Sequence, residues 1–250
     1  MSTDVVKIIL KRRISLKNSI LITGFHGIGL TGYLTLRFLV SSLKPERVGY
    51  ILTRNMPPYV CRSSEGIRLP YEIYYLERNK SKFIFIMFNI PLSEEDFFNV
   101  PYKIAEWAIN GKFREAFLVG GLNKKAVGDY ATRIIHTRAY KNELNLVNLN
   151  VKYLEERIHV VGPLALMLAY FEVYNFPAVT VLPCADTDKP DFRAASEAIK
   201  IFNSIYGFNI NVEPLEEEAK KIEMLEKAKP KVKMQAGIKS KEFFKASYIA

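Results

Sequence analysis

The chain has 250 residues, of which 49% are hydrophobic and 25% charged, so it can bury a full core and is not disordered in composition. Its apolar runs are shorter than the roughly 20 residues that cross a bilayer, and its start lacks a small-residue cleavage site for secretion. Two cysteines outside any C-x-x-C, Cys61 and Cys184, argue against a disulfide scaffold or a zinc site. We therefore expect a cytoplasmic protein that does not span a membrane.

The net charge of +10 lies at the two ends of the chain. Residues 1–18 contribute +4 and residues 229–250 contribute +5, which leaves +1 for the body between them. This distribution makes nucleic acid an unlikely partner, because the basic residues do not form a patch on the globular part. It predicts three parts: a basic N-terminal segment (1–18), an α/β domain (19–228) and a basic, flexible C-terminal tail (229–250). Each end is either a solvated segment or the contact for an acidic partner.

Apolar, β-rich runs alternate with helical patterns along the body of the chain. Strands are expected at 19–23, 47–53, 73–76, 83–88, 116–119, 158–161 and 178–182, and helices at 30–42, 93–109, 164–174, 191–206 and 213–229. Ser93 is expected to cap its helix at the N-terminus and Gly207 to end the helix before it, and residues 62–70 are expected to form a polar turn. This alternation predicts an α/β fold with a mainly parallel sheet flanked by helices, followed by a C-terminal helix and a flexible tail.

The first predicted crossover contains a G-x-G-x-x-G formed by Gly27, Gly29 and Gly32. In a dinucleotide site these glycines permit a tight turn, close approach of the pyrophosphate and close helix packing. The acidic residue expected about 20 positions further on is missing, although Arg54 could hold a 2′-phosphate. We therefore favour glycines that only seat the helix, and keep a nucleotide or nucleoside site at this turn as the alternative. His26 belongs to that alternative, as an exposed acid–base group, against the simpler interpretation of a satisfied polar loop residue.

Other chemical signatures are weak. The chain lacks a G-x-x-x-x-G-K-[ST] loop, a G-x-S-x-G elbow and an H-E-x-x-H pair. Cys184 is expected to be a free, half-buried thiol, and loop and helix-cap roles suffice for the nearby Asp186, Asp188 and Asp191. We predict no catalytic residues, no cofactor and no metal, and lean towards a protein that is not an enzyme.

Five segments occur in an order that is specific as a set, and together they span about residues 19–227. They are LITGFHGIGLTG (21–32), MPPYV with EGIRLPYEIYYL (56–76), FLVGGL (117–122), the run from VVGPLALMLAYF to SEAIKIF (160–202) and INVEPLEEEAKKIE (210–223). Together they resemble the archaeal form of the PAC2 (proteasome assembly chaperone 2) superfamily. The resemblance implies an α/β sandwich of the nucleoside-phosphorylase type. It also implies a non-enzymatic, homo-oligomeric chaperone that binds proteasome α subunits, with structural roles for Gly24, Gly27, Gly29 and Gly32.

The C-terminal tail suits docking on such a partner. Family members that dock on the proteasome often end in a hydrophobic residue, a tyrosine and any residue, whereas here the tyrosine is third from the end. Apolar anchors on a basic segment with a C-terminal carboxylate are nevertheless a recurrent mode of capture. The candidate partner-binding residues are Phe243, Phe244, Tyr248, Ile249 and Ala250.

Overall fold

The computed structural model describes residues 5–64, 66–127, 129–141 and 150–228, and its centre is a nine-stranded sheet between two layers of helices. The strands are β1 (Val6–Leu10), β2 (Ser19–Gly24), β3 (Glu46–Thr53), β4 (Cys61–Ser63), β5 (Gly66–Arg68), β6 (Tyr71–Arg78), β7 (Ser81–Phe88), β8 (Glu115–Val119), β9 (Leu122–Asn123), β10 (Thr132–His136), β11 (Val151–Tyr153), β12 (Ala178–Leu182) and β13 (Cys184–Ala185). The helices are α1 (Thr31–Leu43), α2 (Asp96–Asn110), α3 (Pro163–Val173), α4 (Phe192–Tyr206) and α5 (Glu213–Ala228), and a 3₁₀ turn (Ile28–Leu30) precedes α1.

The sheet is mixed, with the order β1-β3-β6-β7-β2-β8-β12-β10-β11. Its four central strands, β7, β2, β8 and β12, run parallel, whereas β1, β3, β6 and β7 pair antiparallel in succession, as do β10 and β12. The β6–β7 hairpin turns at Asn79 and Lys80, whose φ angles are +52° and +62°, as a two-residue hairpin turn with the twist of its strands requires. The expected α/β fold is confirmed, and the parallel part occupies the centre of the sheet.

Two hydrophobic cores lie on opposite faces of this sheet, because successive side chains of a strand point to opposite sides. In β2 every residue is buried: Leu21 joins the core under α2 and α3, whereas Ile20 and Ile22 join the core under α1, α4 and α5. A strand that is covered on both faces reads as a continuous apolar run, which is why its position is predictable.

The expected strand at 158–161 is wrong. Those residues form a loop before α3, and the strand in that part of the chain is β11, which pairs parallel with β10. Ile158 and Val160 nevertheless pack against the core, so their apolar character reflects burial from a loop. Apolar burial by itself does not distinguish a short strand from a packed loop.

Three further element boundaries differ from expectation in detail. Residues 62–70, expected as a polar turn, contain the β4–β5 hairpin. Helix α2 begins at Asp96, and the Ser93 hydroxyl accepts a hydrogen bond from the Asp96 amide at 3.2 Å. The sheet begins within the stretch predicted as a basic N-terminal segment, since β1 pairs with β3. Among the described residues, none of the helices combines the length and apolar character that crossing a membrane requires.

Candidate functional site

The glycine turn joins the central strand β2 to helix α1, and its glycines bring the two backbones into contact. A Cβ built on Gly24 would lie 2.8 Å from the Cα of Gly32, and one built on Gly32 would lie 2.7 Å from the carbonyl oxygens of Phe25 and Val119. Any side chain at either position would force the helix away from the sheet. These two glycines therefore serve helix–sheet packing, as a dinucleotide fingerprint also requires of its third glycine.

Gly29 occupies the place where a phosphate would have to approach. Its φ is +62°, and an added Cβ would lie 2.8 Å from the Cβ of Ala185 and 3.1 Å from the Cβ of Asp191. The Gly29 carbonyl accepts a hydrogen bond from the Asp191 amide at 2.8 Å. The loop between β12 and α4 thus fills the space beside the turn and brings carboxylates to it, which opposes the binding of an anion.

The aspartates of that loop act as structural groups. Asp191 caps α4: its carboxylate accepts from the Ala194 amide at 3.1 Å and from the Asp186 amide at 2.9 Å. Asp186 pairs with Lys124 at 2.8 Å, and the hydrogen bond from Lys124 lowers the pKa of the Asp186 carboxyl. In the described part of the chain, these and the other potential ligands form no group of three that could hold a metal ion.

The His26 side chain packs within the turn and does not project from it. Its ring stacks on Tyr33 with centroids 4.5 Å apart, and its Nδ1 is buried without a hydrogen-bond partner among the described residues. Burial lowers the pKa of His26 from 6.5 to about 4. The imidazole is therefore neutral near pH 7 and is a poor proton donor there, in contrast to the exposed acid–base group of the nucleotide alternative.

A cavity of about 150 Å³ lies at the carboxyl ends of β2, β8 and β12, where open α/β sheets place their ligands. Its walls combine glycine backbone with apolar side chains: Gly27, Gly120, Gly121, Ile158, Val160 and Leu164. Typical small-molecule sites occupy roughly 300–1,000 Å³. The cavity is therefore too small for a nucleotide, although it has the volume of an apolar side chain.

The three histidines do not lie together in one site. His26 and His159 line the same cavity, a neighbourhood that the sequence does not reveal because 133 positions separate them. His136 lies elsewhere on β10, where its Nδ1 contacts the Thr137 carbonyl at 2.9 Å. Burial raises the pKa of the Cys184 thiol, which suits the expected unreactive, half-buried cysteine.

Two buried polar clusters are not predictable from the sequence, because their members are distant in the chain. Glu72, fully buried on β6, accepts hydrogen bonds from Arg47, the Leu69 amide, Tyr74 and Asn89. Arg133, buried on β10, pairs with Asp129 and Glu155, both at 2.6 Å. Alternating charged and apolar residues on strands are the only local signal of such pairs. In both clusters the buried charge has a partner of opposite charge, as buried charges require.

The predicted partner-binding residues, Phe243, Phe244, Tyr248, Ile249 and Ala250, lie outside the described residues. Their role stays a prediction.

The fold is an α/β sandwich in which Gly24 and Gly32 of this crossover seat helix α1 on the sheet. Residues 21–228 match the model of the PAC2 family, so the chain belongs to that family. The resemblance inferred from the five sequence segments is thereby confirmed.

Individual proteins show distant sequence similarity and the same fold. The chain is 25% identical over 220 residues to an uncharacterized protein of Methanocaldococcus jannaschii, covering 86% of this chain and 84% of the relative. Its fold is similar to that of PbaB of Pyrococcus furiosus, an archaeal proteasome activator, with a TM-score of 0.78, 22% identity and coverage of 90% and 98%. It is also similar to PbaA of the same organism, an archaeal homolog of proteasome-assembly chaperone, with a TM-score of 0.74, 22% identity and coverage of 89% and 90%.

Proposed function

We propose that this protein is a proteasome-assembly chaperone-like protein, which binds proteasome core α subunits as a non-enzymatic, cytoplasmic homo-oligomer. One observation carries the proposal: two solved structures with this fold over about nine-tenths of the chain both come from proteins connected with the archaeal proteasome. Membership of the PAC2 family supports the same class of function.

The geometry of the glycine turn favours this role over catalysis on the same sheet. The position that phosphates would need is filled by the loop carrying Ala185 and Asp191, and the neighbouring cavity has the volume of a side chain.

The outer surface offers two means of holding a partner. The tail (229–250) combines six lysines with Phe243, Phe244, Tyr248 and Ile249, a composition suited to an acidic surface with apolar pockets. The helix layer of α2 and α3 exposes large apolar side chains, among them Phe98 and Tyr102. We expect the tail to contact the α subunits and the folded domain to position it.

A pull-down with purified proteasome α subunits tests the proposal. The full chain is compared with a chain that ends at Lys229, and with a full-length variant in which Phe243, Phe244 and Tyr248 are replaced by serine. We expect the full chain to retain α subunits and both variants to lose most of the binding. The serine variant keeps the six lysines, so it separates apolar docking from charge attraction.

The remaining outcomes are equally informative. Equal binding by all three forms would assign the contact to the domain and remove the tail from the proposal. Failure of the full chain to retain α subunits, at low salt as well as at physiological salt, would contradict the proposed function.

A further inference from the structure

Helix α3 is apolar except for Glu172 near its C-terminal end, but the chain covers only one side of it. Residues 158–171 contain no Asp, Glu, Lys or Arg. Leu164, Met167 and Phe171 are buried in the core, whereas Ala169 and Val173 are exposed on the opposite side of the helix. Because the apolar side of a helix is normally buried, we expect the outer side of α3 around Ala169 and Val173 to have a cover that one copy of the chain does not provide.

Helix α2 extends this uncovered surface. Phe98 and Tyr102, one turn apart on α2, are 63% and 43% exposed, and the ring of Tyr102 lies 5.0 Å from that of Tyr170 on α3. Tyr102, Tyr170 and Tyr174 also line a shallow groove between the two helices. We call this surface the α2–α3 face and define it by Phe98, Tyr102, Val161, Ala165, Ala169, Tyr170, Val173 and Tyr174.

The other helix layer has a different character. On α4 and α5 the exposed positions carry ion pairs, such as Arg193 with Glu223 at 2.8 Å and Lys200 with Glu216 at 2.9 Å. A charged surface of this kind is adapted to water, whereas a contiguous apolar patch of several hundred Å² marks an interaction site. The two faces of the sandwich therefore have different environments in the assembled protein.

We infer that the α2–α3 face is where a second copy of this chain docks, with its α3 antiparallel to the first. The inference rests on the homo-oligomer of the proposed function and names its interface. The stripe consists of Val161, just before α3, and of Ala165, Ala169 and Val173 on the helix, each four residues from the next. Ala165 is half-buried and the other three are exposed. The order of residue types in the stripe is the same in both directions, so a reversed copy places Val173 against Val161 and Ala169 against Ala165.

The chemistry of the stripe suits an identical partner. The two alanines allow close approach of a second helix, and the four stripe residues are uncharged. The one charged residue of α3, Glu172, pairs with Arg138 at 3.5 Å. Interfaces between identical subunits are more apolar than those of transient complexes, and a two-fold contact uses the same patch on both copies.

The exposed area is close to what a stable dimer needs. Val161 and Val173 are each 77% exposed, and Tyr174 is 58% exposed. Counting a full aromatic side chain at about 150–250 Å², the α2–α3 face leaves roughly 600–800 Å² uncovered. Each partner contributes roughly 800 Å² to a standard interface.

Sedimentation of the full chain over a range of concentrations tests the inference. Ala169→Arg places a cation at the centre of the stripe without disturbing the core, because Ala169 is exposed. Met224→Arg is the matched control, since Met224 is an exposed apolar residue on α5. We expect the wild type and Met224→Arg to associate and Ala169→Arg to sediment as a monomer. Far-UV circular dichroism should be the same for all three.

Cysteine cross-linking tests the antiparallel register. Under oxidising conditions a mixture of Ala165→Cys and Ala169→Cys chains should give more covalent dimer than either variant alone, because residue 165 of one copy would meet residue 169 of the other. Wild-type chain treated in the same way controls for Cys61 and Cys184. Equal yields from the mixture and the single variants would contradict the antiparallel arrangement.

The sedimentation outcomes separate this inference from the proposed function. A monomeric wild type at every concentration would overturn both the homo-oligomer and its interface. An associated wild type together with an equally associated Ala169→Arg variant would overturn the interface alone. Loss of α-subunit binding by an intact oligomer would contradict the proposed function and leave this interface standing.

Discussion

Gly24 at the end of β2 and Gly32 in the first turn of α1 lie backbone against backbone, with only 2.8 Å between a Cβ built on Gly24 and the Cα of Gly32. The contact holds α1 directly on the central strands, because Gly32 also faces the carbonyl of Val119 on β8. The same glycine spacing accommodates a pyrophosphate in dinucleotide-binding proteins. Here a loop of the chain itself occupies the place beside the turn.

This packing predicts different effects for two glycines of one motif. Gly32→Ala would press its Cβ into two carbonyl oxygens at 2.7 Å, and we expect it to lower the free energy of unfolding by about 2–3 kcal/mol. Gly27→Ala is the control, because a Cβ there meets nothing within 4 Å, and a change below about 0.5 kcal/mol is expected. Urea unfolding monitored by circular dichroism measures both. Equal stability of the two variants would contradict the packing role.

The filled turn predicts that nucleotides do not stabilise the protein. A ligand at about 100 times its Kd adds about 2.7 kcal/mol, which for a chain of this size raises Tm by several degrees. We expect millimolar ATP, NAD, NADP, adenosine and inorganic phosphate to shift Tm by less than about 1 °C in a thermal-shift assay. A clear shift that is lost in the His26→Ala variant would revive the nucleotide site at Gly27, Gly29 and Gly32.

Burial of His26 predicts a loss of stability in acid. Its pKa in the folded protein, about 4, lies below the ordinary 6.5, so the unfolded chain binds the proton first as the pH falls. The stability that depends on a neutral His26 is therefore fully present above pH 6.5 and is lost as the pH falls from 6.5 to about 4. At about 1.4 kcal/mol per pKa unit, this loss of stability amounts to at most about 3.5 kcal/mol.

Two measurements check this pH dependence. The His26 resonances in an NMR titration should move with a midpoint well below 6. The variant His26→Phe, which keeps a ring against Tyr33 and removes the titrating group, should show a flatter decline of unfolding free energy over this range. A midpoint near 6.5 would show that the imidazole is hydrated in the folded protein.

Because the Glu72 carboxylate is buried, we predict that an isosteric substitution at this position lowers the free energy of unfolding substantially. Glu72→Gln would replace an acceptor oxygen by an NH₂ group among Arg47, Tyr74 and Asn89, leaving donors unpaired and Arg47 without its buried counter-charge. We expect a loss of about 2–4 kcal/mol in chemical unfolding. Glu77→Gln on the same strand is the control: Glu77 is exposed, and its loss should cost less than about 0.5 kcal/mol. A small effect at Glu72 would mean that the cluster contributes little.

The N-terminal cap of helix α4 predicts a moderate loss of stability when the capping side chain is removed. Asp191→Ala removes the acceptor for the Ala194 and Asp186 amides and should lower the free energy of unfolding by about 1–2 kcal/mol. Asp188→Ala in the same loop should change it by less than about 0.5 kcal/mol, since the Asp188 carboxylate accepts from the Thr187 hydroxyl at the surface. Matching losses in the two variants would indicate that the whole loop, not the cap, is responsible.

Much of the fold was predictable from the sequence where local signals and burial agree. The central strand β2 is a continuous apolar run, the β6–β7 hairpin follows two β-rich runs, and α4 is bounded by Asp191 and Gly207. The strand expected at 158–161 was wrong because an apolar run in a packed loop has the same pattern as a short buried strand. Strand β1 was not predicted, since its basic neighbours resemble a solvated segment.

The sequence by itself determined the alternation of strands and helices, the helix caps and the membership of the PAC2 family, because these depend on neighbouring residues and on motif order. Only the tertiary structure decided that the loop at Ala185 and Asp191 packs beside Gly29, that His26 and His159 share one cavity and that Glu72 has four donors. The physical reason is distance along the chain. The groups that fill the turn beside Gly29 come from the loop at Ala185 and Asp191, and no local pattern at the turn records which distant segment will pack against it.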